Sequence, residues 1–192
     1  YNPSMPITTD SVRTYYDENT NLFLKFSGTL REKPQNIHRT LWMEDTKTLE
    51  DALNTSNALI KVEIESVTQT NARIADLGCG VGASLFYIYP RLQQPAPALG
   101  LTLSPVQARL AQESANQLGL QDHIRFAEGD FTSVPLPGES LDAVYSVEAV
   151  CHAVDPEKYF KEAGRLLRKG GKLILVDDYQ VACSFTNHEQ KW

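Results

Sequence analysis

Residues 72–84 read ARIADLGCGVGAS, with Gly78, Gly80 and Gly82 alternating directly after the short apolar run Ile74-Ala75-Asp76-Leu77. An apolar run of this length bounded by glycine reads as a buried strand. Glycines placed there permit positive φ and leave main chain without Cβ atoms, so a partner is able to approach the backbone closely. The next stretch, ASLFYIYPRL, reads as a helix that Pro90 ends or kinks. In an open α/β sheet the carboxyl end of such a strand lies at the switch point where ligands bind. A tight turn alone explains part of the pattern, but three alternating glycines exceed what a turn requires.

Outward from this stretch the texture repeats. ALGLTL (98–103), HIRFAEGD (123–130), LDAVYSVEA (141–149) and KLILVDDY (172–179) read as four further strands. Between them, Ser104-Pro105 and Asp155-Pro156 each pair an N-cap with a favoured first helical residue. The first of these helices shows Val106, Leu110, Ala111 and Leu118 on one face and stops near Gly119. The second carries the stripe Tyr159, Phe160, Ala163, Leu166 and Leu167, with Lys169-Gly170-Gly171 expected to close it. Strands of this apolar kind alternating with helices predict an α/β fold, a doubly wound, mostly parallel Rossmann-like sheet covered on both faces. Upstream, Leu49, Leu53, Ile60, Ile64 and Val67 recur at mostly helical intervals, so a long helix is expected there. Residues 1–70 are polar with scattered aromatics and are expected to form an N-terminal helical cap or lid on a core of residues 71–192.

Composition removes several classes of function. With 192 residues, 42% of them hydrophobic and 22% charged, the chain is expected to form one globular unit with a small cap. Eighteen Lys and Arg against 24 Asp and Glu give a net charge of −6, which argues against a nucleic-acid binder. No apolar run approaches the roughly 20 residues of a membrane span. Cys79, Cys151 and Cys183 are widely spaced without a C-x-x-C pair, so neither a disulfide framework nor a zinc or other metal site is expected. A reducing, cytoplasmic location is the simplest expectation, and no signal peptide is visible, although the chain starts at Tyr1 rather than Met.

Gly78, Gly80 and Ala83 also fit the dinucleotide pattern G-x-G-x-x-[GA]. Two features oppose an NAD-dependent oxidoreductase: Asp76 stands inside the strand before the first glycine, and the second strand ends in Thr102 without the expected ribose-binding acid. The motif DLGCGVG is instead similar to the first motif of class I S-adenosylmethionine-dependent methyltransferases, and the order of elements over residues 73–179 matches their core. GLTLSPVQARLA resembles the tocopherol methyltransferases and the cyclopropane fatty acid synthases, and YSVEAVCHAVDPEKYFKEAGRLLRKGG resembles the sterol C24-methyltransferases.

The resemblance implies a set of roles. S-adenosylmethionine is the implied cofactor, with Asp76 on the methionine amino group and the main chain of Gly78, Cys79 and Gly80 along the cofactor. Thr102, Leu103 and Gln107 take the ribose position, where most class I enzymes carry an acid. Gly129, Asp130 and Phe131, from EGDF, take the adenine, although Asp130 also reads as a turn or cap residue. Glu148 and His152 are the candidate catalytic pair: if the chain turns helical after the fourth strand they share one face, the carboxylate beside the sulfonium and the imidazole as proton acceptor. Glu148 also counts among the cofactor contacts. The plain alternatives are a Glu that holds the loop backbone and a His that caps a helix. Cys151 reads as a buried small apolar residue. Tyr15, Tyr16, His38 and Trp42 are candidates for a lid or substrate wall, or for packing the first helix onto the sheet. A small apolar acceptor is implied (lipid, isoprenoid, sterol-like or phenolic), with methylation at carbon slightly favoured over oxygen or nitrogen. A non-catalytic S-adenosylmethionine-binding module is the other reading.

Class I methyltransferases resemble one another in two further strands after the fifth, and the fourteen residues from Tyr179 to Trp192 are too few for them. The sheet is therefore expected to be truncated after its fifth strand, with reduced turnover but retained cofactor binding. The open edge predicts poor solubility or a homo-oligomer that covers it.

Overall fold

The computed structural model describes residues 8–26 and 38–179. Two helices, α1 (Thr9–Phe26) and α2 (Leu49–Glu65), precede an alternating series: β1 (Ile74–Leu77), α3 (Ala83–Ile88), β2 (Ala98–Thr102), α4 (Pro105–Gln117), β3 (Ile124–Glu128), β4 (Leu141–Val147), α5 (Pro156–Leu166) and β5 (Leu167–Val176). The five strands form one sheet in the order β3-β2-β1-β4-β5, and every pairing is parallel. The order reverses between β1 and β4, which opens a crevice at their carboxyl ends.

Helix starts follow the chemistry of their first residues. The Thr48 hydroxyl accepts from the Asp51 amide at 3.1 Å while the Asp51 carboxylate accepts from the Thr48 amide at 3.0 Å, a reciprocal cap that opens α2. Ser104 and Asp155 cap α4 and α5 by accepting from the amides of Gln107 and Lys158, each with proline at the first helical position. α3 ends at Ile88, and Pro90 sits in the single 3-10 turn Tyr89–Arg91 that follows.

Strand alternation sorts the core into two layers. Ile74 and Tyr145 face α2, α3 and α4, where Ile60, Ile64, Leu85, Ile88 and Phe126 complete one cluster. Ala75, Leu77 and Val144 face the other way and pack with Leu101, Tyr159, Ala163 and Leu166 of the α5 side. The segment before residue 70 therefore has two parts. α2 is a layer of the core, because Ile60 and Ile64 share a cluster with β1 and α3, whereas α1 lies against the end of β2 and the start of α4. Its Arg13 side chain donates to the Leu103 carbonyl at 3.3 Å and pairs with Glu128 at 3.4 Å, and Asp17 accepts from the Ser104 hydroxyl.

The expected helix closure at Lys169-Gly170-Gly171 is corrected: α5 stops at Leu166 and β5 begins at once. Gly170, with φ +78°, lies inside β5 where the register with β4 slips between Leu141 and Ala143. The left-handed residue serves a bulge rather than a helix cap. Asp142 of β4 anchors the opposite end of the sheet from the crevice, accepting from the Arg73 amide at 2.8 Å and from the Arg168 side chain at 2.5 Å. Among the described residues, no helix is long and apolar enough to cross a membrane.

Candidate functional site

A cavity of about 330 Å³ opens at the carboxyl ends of β1, β2, β4 and β5, a size that suits a small ligand. Asp76, near the end of β1, forms its floor. The side chain is 2% exposed, and burial pushes its carboxyl up to about 8. The neighbouring Tyr145 phenol favours the ionised form, but among the described residues its hydroxyl completes no hydrogen bond. The site thus holds an acid that gains greatly from a cation brought to it.

The glycine loop bends over this floor. Gly78 has φ +95°, and a Cβ there would lie 2.4 Å from the Cβ of Ala149. Its glycine is required by the loop after β4, not only by an incoming ligand. The amides of Gly78 and Cys79 both donate to the Leu101 carbonyl, at 2.8 and 2.9 Å, so they are not free to cradle a phosphate. Cys79 and Gly80 line the cavity, and burial raises the Cys79 thiol. Gly82 stands at the N-cap of α3, outside the lining.

At the end of β2 the Thr102 hydroxyl donates to the Gln107 side-chain oxygen at 2.8 Å. Both residues are buried, and among the described residues the Gln107 Nε2 amide has no partner. Leu103 and Phe131 supply apolar wall beside them. Asp130 sits instead on a smaller adjoining cavity of about 140 Å³, which shares Val12, Leu103, Phe131 and His152 with the larger one. Its Oδ1 accepts from the amide and hydroxyl of Thr132 at 2.8 and 2.7 Å, the geometry of a turn residue. Gly129 lines neither cavity; its amide donates to the Thr102 carbonyl at 2.9 Å.

After β4 the chain does not enter an α-helix. Glu148 takes φ +47°, and the short 3-10 turn Val150–His152 follows. The helical spacing expected for Glu148 and His152 is therefore absent, yet the turn brings both to the cavity. Glu148 Oε1 accepts from the Arg39 amide at 2.8 Å, and its own amide donates to the Val176 carbonyl at 2.7 Å. The His152 ring meets Tyr16 edge-on at 5.6 Å, and Tyr16 meets Tyr15 at 5.3 Å. Burial, then Cys151, raises the Tyr16 phenol. Cys151 corrects the expectation of a buried apolar residue: it is exposed at the cavity rim, its amide donating to Asp177 at 3.0 Å, and partial burial with Asp177 pushes its thiol up to about 11.

Tyr15, Tyr16 and His38 line the cavity, but Trp42 is 57% exposed and stands apart from it. Sequence reasoning missed Val12, Arg39, Val81, Ser84, Asp177 and Asp178, which the cavity includes. A signal for the last two was present, because residues just past every parallel strand gather at one edge of the sheet. Among the described residues, no cluster of His, Cys, Asp or Glu suits a metal ion. Cys183 and the tail after Tyr179 lie outside the described residues.

Similarities to known proteins fall on the same elements. The chain is 35% identical over 104 residues to the erythromycin 3''-O-methyltransferase of Saccharopolyspora erythraea, covering 54% of this chain and 34% of that protein. It is 37% identical over 99 residues to the sterol 24-C-methyltransferase ERG6B of Gibberella zeae, covering 52% and 26%. The match thus spans about a quarter to a third of the length of these relatives. The crystal structure of the [4+2]-cyclase SpnF superposes with a TM-score of 0.74 at 25% identity, over 84% of this chain and 57% of that one. Residues 75–175, from β1 to the end of β5, match the methyltransferase-domain family, and the chain belongs to it.

Proposed function

We propose that the cavity binds S-adenosylmethionine and that the protein transfers its methyl group to a small, largely apolar acceptor. The observation that carries this reading is the charge of the lining. Asp76, Glu148, Asp177 and Asp178 surround the cavity, and among the described residues Arg39 is the one Arg or Lys there, paired with Asp178 at 2.6 Å. Such a lining attracts an ammonium and a sulfonium and repels the pyrophosphate of a dinucleotide.

The residues fit the cofactor point by point. Asp76 would hold the amino group, and the loop Gly78–Gly80 would lie along the methionine backbone. The unpartnered Gln107 amide is a donor awaiting an acceptor such as a ribose oxygen. Leu103 and Phe131 offer apolar surface to the adenine. When bound, the cofactor supplies an already activated methyl group, so the protein's task is orientation and exclusion of water. Glu148 sets a carboxylate in the cavity, where it lowers the energy of a neighbouring cation. α1, held by Arg13 and Asp17, closes the side over β2 and α4. Tyr15, Tyr16 and Val12 give the acceptor side its aromatic and apolar face.

The relatives act, by their names, at both oxygen and carbon, so similarity alone leaves the methylated atom open. The likeness to a cyclase likewise shows that this fold carries more than one reaction. Free thiols at Cys79 and Cys151 fit a reducing compartment such as the cytoplasm.

Calorimetry with S-adenosylhomocysteine and with NADH, followed by transfer of tritiated methyl into an organic phase, tests the proposal. Binding of the homocysteine product alone, with label extracted, is the expected result. Heat without label marks a binding module, and tight NADH binding overturns the reading.

A further inference from the structure

His38 is a polar group of the cavity that the proposed reaction leaves unused. Its Nδ1 lies 3.0 Å from the Arg39 carbonyl oxygen. A carbonyl oxygen only accepts, so this hydrogen bond requires the proton on Nδ1. In a neutral imidazole the other nitrogen, Nε2, then carries a bare lone pair. Nε2 is shut away from bulk solvent, and among the described residues no group donates to it. His38 nevertheless belongs to the cavity lining, together with Glu148 and Gly78.

The next residue fastens the imidazole at this place. The Arg39 amide donates to Glu148 Oε1 at 2.8 Å, and the Arg39 guanidinium pairs with Asp178 at 2.6 Å. One strap of chain is thus tied to the loop after β4 and to the end of β5, with His38 at its inner edge. An oriented ring, its far nitrogen hydrogen-bonded to a fixed acceptor and its near nitrogen unprotonated, is the arrangement general-base catalysis requires. His152, the base that the sequence suggested, instead has an exposed side chain with its ring against Tyr16.

Resting on the methyl-transfer reading above, we propose that His38 Nε2 is the general base and that the acceptor presents a hydroxyl, an alcohol or a phenol, to it. A hydroxyl donates to the buried lone pair, whereas an alkene offers no donor and leaves it unsatisfied. This assigns oxygen, not the carbon that the sequence resemblance favoured. As the acceptor oxygen's lone pair forms the O–C bond, the C–S bond breaks and its electron pair stays on sulfur. The hydroxyl proton passes to Nε2, so the positive charge moves from sulfonium to imidazolium. Nothing is oxidised or reduced, and the proton leaves to water when the product departs.

Nitrogen-15 spectra of the histidine-labelled full chain with S-adenosylhomocysteine bound test the first half; His38→Gln identifies its signal among the four histidines. The expected spectrum has Nδ1 protonated and Nε2 bare. The second half is tested by methyl transfer to 2-naphthol and to 1-nitro-2-naphthol, which is already an anion at neutral pH. His38→Gln is expected to lower transfer to 2-naphthol by about 100-fold or more, and to the nitro compound by less than about 10-fold. S-adenosylhomocysteine affinity stays within about 3-fold of wild type, since His38 acts on the acceptor. A proton on Nε2, equal losses with both naphthols, no loss with either, or no transfer to 2-naphthol by a chain that binds the homocysteine product overturns the proposal. Failure of wild type to bind that product overturns the cofactor reading instead, whatever the state of His38.

Discussion

With Asp76 on the cofactor's ammonium, as proposed, binding becomes a proton-release reaction. Burial holds its carboxyl at about 8, so at neutral pH the empty site is mostly protonated. An ammonium pairs with the ionised form, and apparent affinity therefore scales with the ionised fraction. With a value of about 8, that fraction is about 0.5 at pH 8 and about 0.01 at pH 6. The dissociation constant for S-adenosylhomocysteine is expected to weaken about 50-fold over this interval, about 2.3 kcal/mol. Near pH 7, binding releases about 0.9 proton, which calorimetry in two buffers of different ionisation enthalpy reads directly. Asp76→Asn removes both effects: affinity becomes flat with pH, with its largest deficit at pH 8. The linkage to stability has the opposite direction. Since the folded value lies above the ordinary 3.8, Asp76 favours the fold below about 4 and loses that contribution as pH rises to about 8. Asp76→Asn therefore stabilises the ligand-free chain at pH 8 and changes it little at pH 4. A wild-type affinity varying less than about 3-fold between pH 6 and 8 rules out Asp76 as the ammonium's titrating partner.

Asp142 titrates in the other direction. Burial alone raises its carboxyl, but hydrogen bonds from Arg73 and Arg168 outweigh burial and bring it to about 2. Its contribution is present above 3.8 and lost as pH falls towards 2, so Asp142→Asn is expected to lower stability by about 2–3 kcal/mol in urea at pH 7 and by little near pH 2; equal losses at both contradict the assignment. Gly78→Ala drives a Cβ into Ala149 and is expected to weaken S-adenosylhomocysteine binding at least about 10-fold with the circular dichroism spectrum retained. Adding Ala149→Gly restores part of it, and a second change without benefit contradicts the clash. Gln107→Leu removes the unpartnered donor and is expected to weaken the same ligand by about 1 kcal/mol in calorimetry, whereas unchanged affinity removes the ribose contact.

The parallel sheet was legible because its strands are short apolar runs with caps and glycines at their borders; Ser104-Pro105 and Asp155-Pro156 mark helix starts by local chemistry alone. Gly170 shows where local reading stops. Positive φ serves a helix cap or a strand bulge equally well, and only the register of β5 on β4 decides between them. The floor of the site, Asp76 with the glycine loop, was visible for the same local reason. The loop after β4 was not, because Glu148 adopts a left-handed conformation held by Val176 and Arg39, both distant in sequence. Arg39, Asp177 and Asp178 belong to the site through tertiary contact, and Asp130 leaves the main cavity through its bond to Thr132. The tautomer of His38 follows from one carbonyl that no sequence pattern announces.

The decisive measurement for the cofactor site is a crystal structure of the chain with S-adenosylhomocysteine. The expected density sets the amino group against Asp76, the ribose against Gln107 and the sulfur within reach of Glu148. Density for the ligand elsewhere, or an empty crevice at saturating concentration, contradicts it.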